Sequence, residues 1–126
     1  MDTLLFKISA VCKEVTFPDG EIRIGDFAFN GCSSLTDITV PDGNTFYASS
    51  VDGVLFNKDK TVLLQYLTGK NGAYEIPDGV ITIGQNAFRS CGNLTAVTLP
   101  EGVTTIGFNA FDGCSGLTSV TLPNSV

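Results

Sequence analysis

An α/β repeat solenoid built from 23-residue coils is what this 126-residue sequence predicts. Five prolines set the phase: Pro18, Pro41, Pro77, Pro100 and Pro123 are separated by 23 residues in three gaps and by 36 in the remaining one. Aligned on those prolines, the units share nearly invariant columns. Ile24, Ile83 and Ile106 stand before Gly25, Gly84 and Gly107, and Ala28-Phe29, Ala87-Phe88 and Ala110-Phe111 follow. Next come Cys32, Cys91 and Cys114, then Leu35, Leu94 and Leu117. Residues 1 to 14 fit the frame more loosely, with Met1 in the isoleucine column, Phe6 in the phenylalanine column and Cys12 in the leucine column.

Each column has a local cause. In Leu117 to Pro123, Val120 and Leu122 alternate with Ser119 and Thr121, the signature of a half-buried strand rich in β-branched residues. Proline ends that strand because it has no N–H for the ladder. Pro-Asp-Gly or Pro-Glu-Gly at 18, 41, 77 and 100 then makes a turn, with φ preset by proline and glycine free to go positive. A second short strand, Ile81 to Ile83 or Thr104 to Ile106, stops at Gly84 or Gly107. The Asn-Ala-Phe segment before each cysteine is too short for an independent helix, so it reads as a 3₁₀ or single α turn pinned by its phenylalanine.

The inward columns thus hold Ile, Ala-Phe, Cys, Leu, Val and Leu at matching heights. Burying one large apolar side chain is worth roughly 1.5–3 kcal/mol, and a single coil cannot cover its own. Phe29, Phe88 and Phe111, with Cys32, Cys91 and Cys114, are therefore expected to form stacked structural ladders.

The pattern Ile-Gly-x-x-Ala-Phe-x-x-Cys-x-x-Leu-x-x-Val-x-Leu-Pro resembles the leucine-rich repeat of BspA-like surface proteins, found in bacteria and some protists. It covers residues 15–43 and 74–126 closely. Residues 52–61, Asp-Gly-Val-Leu-Phe-Asn-Lys-Asp-Lys-Thr, are similar to a variant in that family that replaces the Ala-Phe-x-x-Cys turn. The resemblance implies a right-handed leucine-rich-repeat solenoid with a parallel β-sheet on one side and short strands with 3₁₀ or single-turn helices on the other. It also implies a cell-surface or secreted protein associated with adhesion and host-matrix binding.

Composition agrees with one folded domain over residues 1–126, 43% of them hydrophobic, with no linker or low-complexity stretch. Seven basic against thirteen acidic residues give a net charge of -6, the wrong balance for a phosphate backbone, so no nucleic-acid partner is expected. No apolar run approaches the ~20 residues needed for membrane insertion. Residues 1 to 9 lack a basic start and a full apolar segment, so they do not read as a signal peptide. Either the chain is a fragment or processed form, or the implied surface location does not apply.

Chemistry-bearing constellations are sparse. The four cysteines include no close Cys-x-x-Cys pair and there is no histidine, so no metal is expected and the thiols read as small buried hydrophobes. Cys91 and Cys114 share a column at a spacing that a disulfide could bridge, but their side chains run parallel. The turn acids Asp19, Asp42, Asp78 and Glu101 recur at one corner without a calcium-loop pattern and read as solvated. No catalytic triad, Gly-x-Ser-x-Gly elbow or phosphate loop is present, so neither enzymatic activity nor a cofactor is expected.

Recognition of a protein or glycan ligand remains. Glu14, Thr16, Asp37, Thr39, Ala73, Glu75, Ala96, Thr98, Ser119 and Thr121 face outward on the main strands and lack the Trp, Tyr and Arg enriched at hot spots. The irregular residues 44–72 carry Phe46, Tyr47, Phe56 and Tyr66 with Lys58, Lys60 and Lys70. Residues 54–56 and 61–66 read as a β-hairpin around Asn-Lys-Asp-Lys. Phe56, Val62, Leu64 and Tyr66 serve as core filler in one reading; in the other, exposed Tyr47, Lys58 and Lys60 make a partner contact. The alternative role is structural: open strand edges at the ends would stack the piece end to end, in a longer solenoid or a homo-oligomer.

Overall fold

Strand pairing repeats at the height of each coil. The computed structural model describes residues 4–6, 13–17, 22–24, 29, 34–50 and 52–126. Along one side run β2 (Glu14–Thr16) and β4 (Asp37–Thr39), then β8 (Gly72–Glu75), β10 (Leu94–Thr98) and β12 (Ser119–Thr121). β2 pairs with β4 and β10 with both β8 and β12, all parallel. On a second side β1 (Leu4–Phe6) pairs with β3 (Ile22–Ile24), also parallel. There too a five-stranded sheet orders β11 (Thr105–Ile106), β9 (Thr82–Ile83), β7 (Val62–Gln65), β6 (Leu55–Asn57) and β5 (Tyr47–Ser49).

Alternation on the main strands follows the pleat. Val15, Ile38, Tyr74 and Val97 are buried between exposed or half-buried neighbours. Phe17, Val40, Ile76 and Leu99, two residues further on, are buried as well. In the last coil the same columns are open: Val120 is 40% exposed and Leu122 54%, because no further coil lies over them in the structure. The register of β1 differs from the sequence frame. Phe6 sits beside Ile24, in the isoleucine column and not the phenylalanine column, while Met1 and Cys12 lie outside the described residues. Eight residues separate Phe6 from Glu14, where Ile24 and Asp37 are thirteen apart.

The third side carries the phenylalanine ladder, and its backbone is not helical. Among the described residues the segments expected to be 3₁₀ or single-turn helices are successive turns. Asn86 and Ser90 adopt φ of 64° and 65°, and Asn109 and Gly113, 23 residues on, adopt 57° and 76°; left-handed residues at these points interrupt any helix. Alternate N–H groups serve different partners. Those of Asn86, Phe88 and Ser90 donate to the carbonyls of Phe108, Ala110 and Asp112 in the next coil, at 3.0, 2.7 and 2.7 Å. Those of Ala87, Arg89 and Cys91 donate three residues back, to Gly84, Asn86 and Phe88. Every amide of this arc is thereby satisfied while Phe88 points inward.

Ring contacts follow the coils. Phe88 and Phe111 stack at 4.9 Å with 12° between planes, and Tyr66 stacks on Phe88 from the other side at 5.1 Å and 28°. Tyr66 has taken the phenylalanine place: its N–H donates to Ala87 as that of Phe88 does to Ala110. Leu63 likewise pairs with Ile83, so the variant coil covers in three residues the arc that Ile83 to Phe88 covers in five. Gly72, opposite Leu94, brings no side chain to the leucine place. Val54, Leu55, Phe56 and Leu67 are all buried there, supplying the core that the shortened arc lacks.

The 13 extra residues do more than form a hairpin. β6 and β7 pair antiparallel as expected, and β5 adds antiparallel to β6 as a third strand that the sequence reading missed. The loop before β6 then occupies the edge of β4, where the N–H of Ile38 donates to the Gly53 carbonyl at 3.1 Å. The main sheet is accordingly split into two- and three-stranded parts. Gly53 has φ of 89°, and a Cβ there would lie 3.1 Å from the Asp37 Cα and overlap its carboxylate.

Two stability outcomes follow from this packing. Phe88→Ala, at the centre of the ring stack, is expected to lower the unfolding free energy by about 3–5 kcal/mol in urea titrations, and Phe111→Ala, half-buried, by less. Gly53→Ala is expected to cost about 1–3 kcal/mol through backbone strain and the clash with Asp37. Wild-type midpoints for either Phe88→Ala or Gly53→Ala would contradict the assignments.

Candidate binding surface

The inserted meander is held by two asparagines. The Asn44 Oδ1, buried, accepts the N–H groups of Phe46 and Tyr47 at 2.8 and 2.9 Å and turns the chain into β5. At the hairpin tip the Asn57 Oδ1 accepts from the N–H groups of Thr61 and Val62, both at 2.9 Å, while its Nδ2 donates to the Thr61 hydroxyl. Lys60 closes that turn with φ of 60°, its N–H on the Asn57 carbonyl. Lys58 and Lys60 are both exposed at the tip.

The three residues singled out from sequence have different surroundings. The Lys58 ammonium donates to the Asp42 carbonyl at 2.8 Å, tying the hairpin tip to the preceding Pro-Asp-Gly turn. Lys60 projects from the same tip. Tyr47 is half-buried against the core, its ring edge-on to Phe17 at 5.7 Å and beside Phe46 at 6.3 Å; the expectation that it is exposed is corrected. Its apolar body has a neighbouring aromatic surface to cover, which outweighs exposure of one hydroxyl. Of the residues named as core filler, Phe56 and Tyr66 are buried, while Leu63, between half-buried Val62 and Leu64, takes the inward position.

Sequence reasoning overlooked Phe108. It is 72% exposed, in the column where the preceding coil carries Gln85, and an aromatic at a polar position was the available signal. Overlooked too was a hydroxyl rung: Thr36 and Thr118 donate to the carbonyls of Lys13 and Thr95, 23 residues earlier, at 3.3 and 3.1 Å. Ser125 does similar work, donating to the Val103 carbonyl at 2.7 Å and accepting the Gly102 N–H at 3.1 Å.

In the structural ladders, Phe29, Phe88 and Cys91 are buried and Phe111 and Cys114 half-buried, while Cys32 lies outside the described residues. Cys91 and Cys114 are free thiols. Cys114 Sγ donates to the Phe88 carbonyl of the coil below at 3.0 Å. Burial, with a smaller contribution from Cys114, pushes the Cys91 thiol up to about 12. Burial also raises Cys114. Asp42, Asp78 and Glu101 are exposed turn residues, Asp19 lies outside the described residues, and among those described no three acidic, cysteine or histidine side chains converge. No helix among them is long and apolar enough to cross a membrane.

The BspA type leucine-rich repeat region matches residues 4–51 and 68–126 in six copies. The chain belongs to that family. Its fold is similar to the pneumococcal vaccine antigen PcpA, with a TM-score of 0.83 and 36% identity over 90% of this chain. It is similar too to a leucine-rich cell surface protein from Faecalibacterium prausnitzii, with a TM-score of 0.76 and 31% identity over 88%. A leucine-rich repeat protein from Eubacterium ventriosum, 20% identical over 90% of this chain and 49% of its own, shares the fold at a TM-score of 0.63. The chain spans 28% of the PcpA chain and 30% of the Faecalibacterium one. No curated protein matches it. The unmatched residues between the two blocks of this BspA-type chain contain β6 and β7, the hairpin of the meander.

The thiol environment of the ladder predicts an alkaline response. Cys91 keeps its proton in the folded state up to about 12, against 9.0 for a free thiol, and Tyr66, raised mainly by burial to about 12 from 10.0, adds the same sign. The folded chain therefore holds more protons than the unfolded one in this window, so stability is full below pH 9 and falls as pH rises toward 12. Urea midpoints at about pH 7 and pH 10 should show the loss, and at about pH 8 a thiol reagent should leave Cys91 unlabelled until the chain is denatured.

Proposed function

We propose that this chain is a non-enzymatic protein-interaction module, part of a cell-surface or secreted protein serving adhesion or host-matrix binding. In this reading it is a single right-handed solenoid domain whose contact region is the inserted meander. The observation that carries it is the meander itself: it interrupts a regular stack, splits the main sheet and sets Lys58 and Lys60 out on a turn clamped by Asn57. A pre-ordered tip loses less entropy on binding than a loose loop. The two ammonium groups, flanking Asp59, also set positive charge out on a chain of net charge -6. Tyr47 acts from beneath in this reading, bracing β5 against Phe17. A family of repeat scaffolds and neighbours described as a vaccine antigen and a cell surface protein support the interaction and surface parts.

A second reading rests on the C-terminal side of the stack. Val120 and Leu122 lie open there, and the N–H groups of Asn109, Phe111 and Gly113, equivalent to those that Asn86, Phe88 and Ser90 use between coils, have no partner among the described residues. A segment offering carbonyls at that spacing, from a longer solenoid or a second copy, would continue the stack. Sedimentation at several concentrations separates the readings, since growth with concentration favours assembly and a constant monomer favours the module.

Capture of extracellular matrix proteins on the immobilised chain tests the first reading. Lys58→Ala with Lys60→Ala is expected to weaken a captured partner several-fold, and more at low salt than at high. Equal retention by the double variant would remove the meander tip from the contact.

A further inference from the structure

A cavity of about 500 Å³ opens where the meander meets the following coil, lined by Ser50, Asp52, Phe56, Lys60, Pro77 and Asp78. Its size falls among small-molecule sites, which span about 300–1,000 Å³. Three separate stretches of chain meet there: the loop before β6, the hairpin and the Pro-Asp-Gly turn after β8.

The lining is held in place. Ser50 is hydrogen-bonded to the Asp52 carboxylate, and its oxygen accepts the Val54 N–H at 3.1 Å. Lys60 sits at the clamped left-handed position of the hairpin turn, and Pro77 has a fixed φ. The Asp52 carboxylate is close enough to the phenols of Tyr66 and Tyr74 to reinforce the burial that pushes both up. Asp52, Asp78 and Lys60 form no ion pair among the described residues.

Charges of both signs thus surround one space without neutralising each other. Two carboxylates and one ammonium offer acceptors and a donor around one space, so a ligand that engages all three must both donate and accept. A hydroxyl group both donates and accepts, so a ring bearing several of them can donate to Asp52 and Asp78 and accept from Lys60 without carrying a charge of its own. The exposed apolar side of Pro77 suits the C–H face of such a ring, with the buried Phe56 forming the wall behind it. We propose that this cavity is a saccharide subsite that takes a neutral pyranose unit at the end of a glycan. The subsite goes beyond the protein-interaction reading and does not depend on it, because it needs no protein partner.

Titration of the ¹⁵N-labelled chain with methyl α-glucopyranoside, N-acetylglucosamine and lactose tests it, with argininamide and inorganic phosphate as charged probes. At least one sugar should give saturable shifts at the amides of Ser50, Asp52, Lys60 and Asp78. Asp52→Asn and Lys60→Gln should each weaken that binding about tenfold, the loss of one charge-assisted hydrogen bond. An unchanged amide spectrum away from the cavity shows that each variant is folded. Response to a charged probe alone, silence with all three sugars, or equal affinity in folded variants would each overturn the subsite.

Discussion

Every coil of this protein depends on its neighbours for a dry interior. A 23-residue winding has no opposite wall of its own, so Phe88 is buried only because Tyr66 lies on one face and Phe111 on the other. The same holds for Ile83, set between Leu63 and Ile106. Energy gained in this way is counted per interface and not per coil. The contrast between Val97, fully buried, and Val120, two-fifths exposed, shows what one missing neighbour removes from an identical sequence position.

Coil-to-coil bonding has a direction on the turn side. There the bridging amides point toward the C-terminal end and the carbonyls that receive them point back, at Asn86, Phe88 and Ser90 and again at Tyr66. A left-handed residue stands at each end of the bridging arc, which is why asparagine, serine and glycine occupy positions 86, 90, 109 and 113. A helix over the same residues would turn its amides back on itself and leave the stack joined only by side chains. Ring stacking and amide bridging are consequently one arrangement, with the backbone spacing set by rings 4.9 Å apart.

The ladder was legible in the sequence because its period is the spacing itself: residues 23 apart in the chain become neighbours in space. Legibility failed wherever that equality failed. Phe6 lies beside Ile24, where no proline or Ile-Gly pair marked the phase. Tyr66 fills the phenylalanine place at the end of an arc two residues shorter, so column counting could not find it. β5 was missed because Tyr-Ala-Ser does not alternate apolar with polar; backbone pairing to β6 and the Asn44 turn make it a strand. Of the candidate surface, the lysines at the hairpin tip were readable from turn chemistry, whereas the burial of Tyr47 depends on Phe17, 30 residues away.

The place of the insertion in the stack explains how a repeat fold can acquire a distinctive surface without losing its core. Replacing an Ala-Phe-x-x-Cys arc by a shorter one removes inward volume, and an empty column between two filled ones would cost both interfaces. Tyr66 restores the ring, while Val54, Leu55, Phe56 and Leu67 fill the space around it. The chain needed to deliver those side chains must leave and re-enter the stack, and its returning edge displaces a strand contact, with Gly53 bonded to Ile38 where β8 would otherwise pair with β4. Core repair and surface novelty therefore have the same origin. The polar groups left at the re-entry, among them Asp52, Lys60 and Asp78, stand around a cavity because two backbones of different period cannot meet flush.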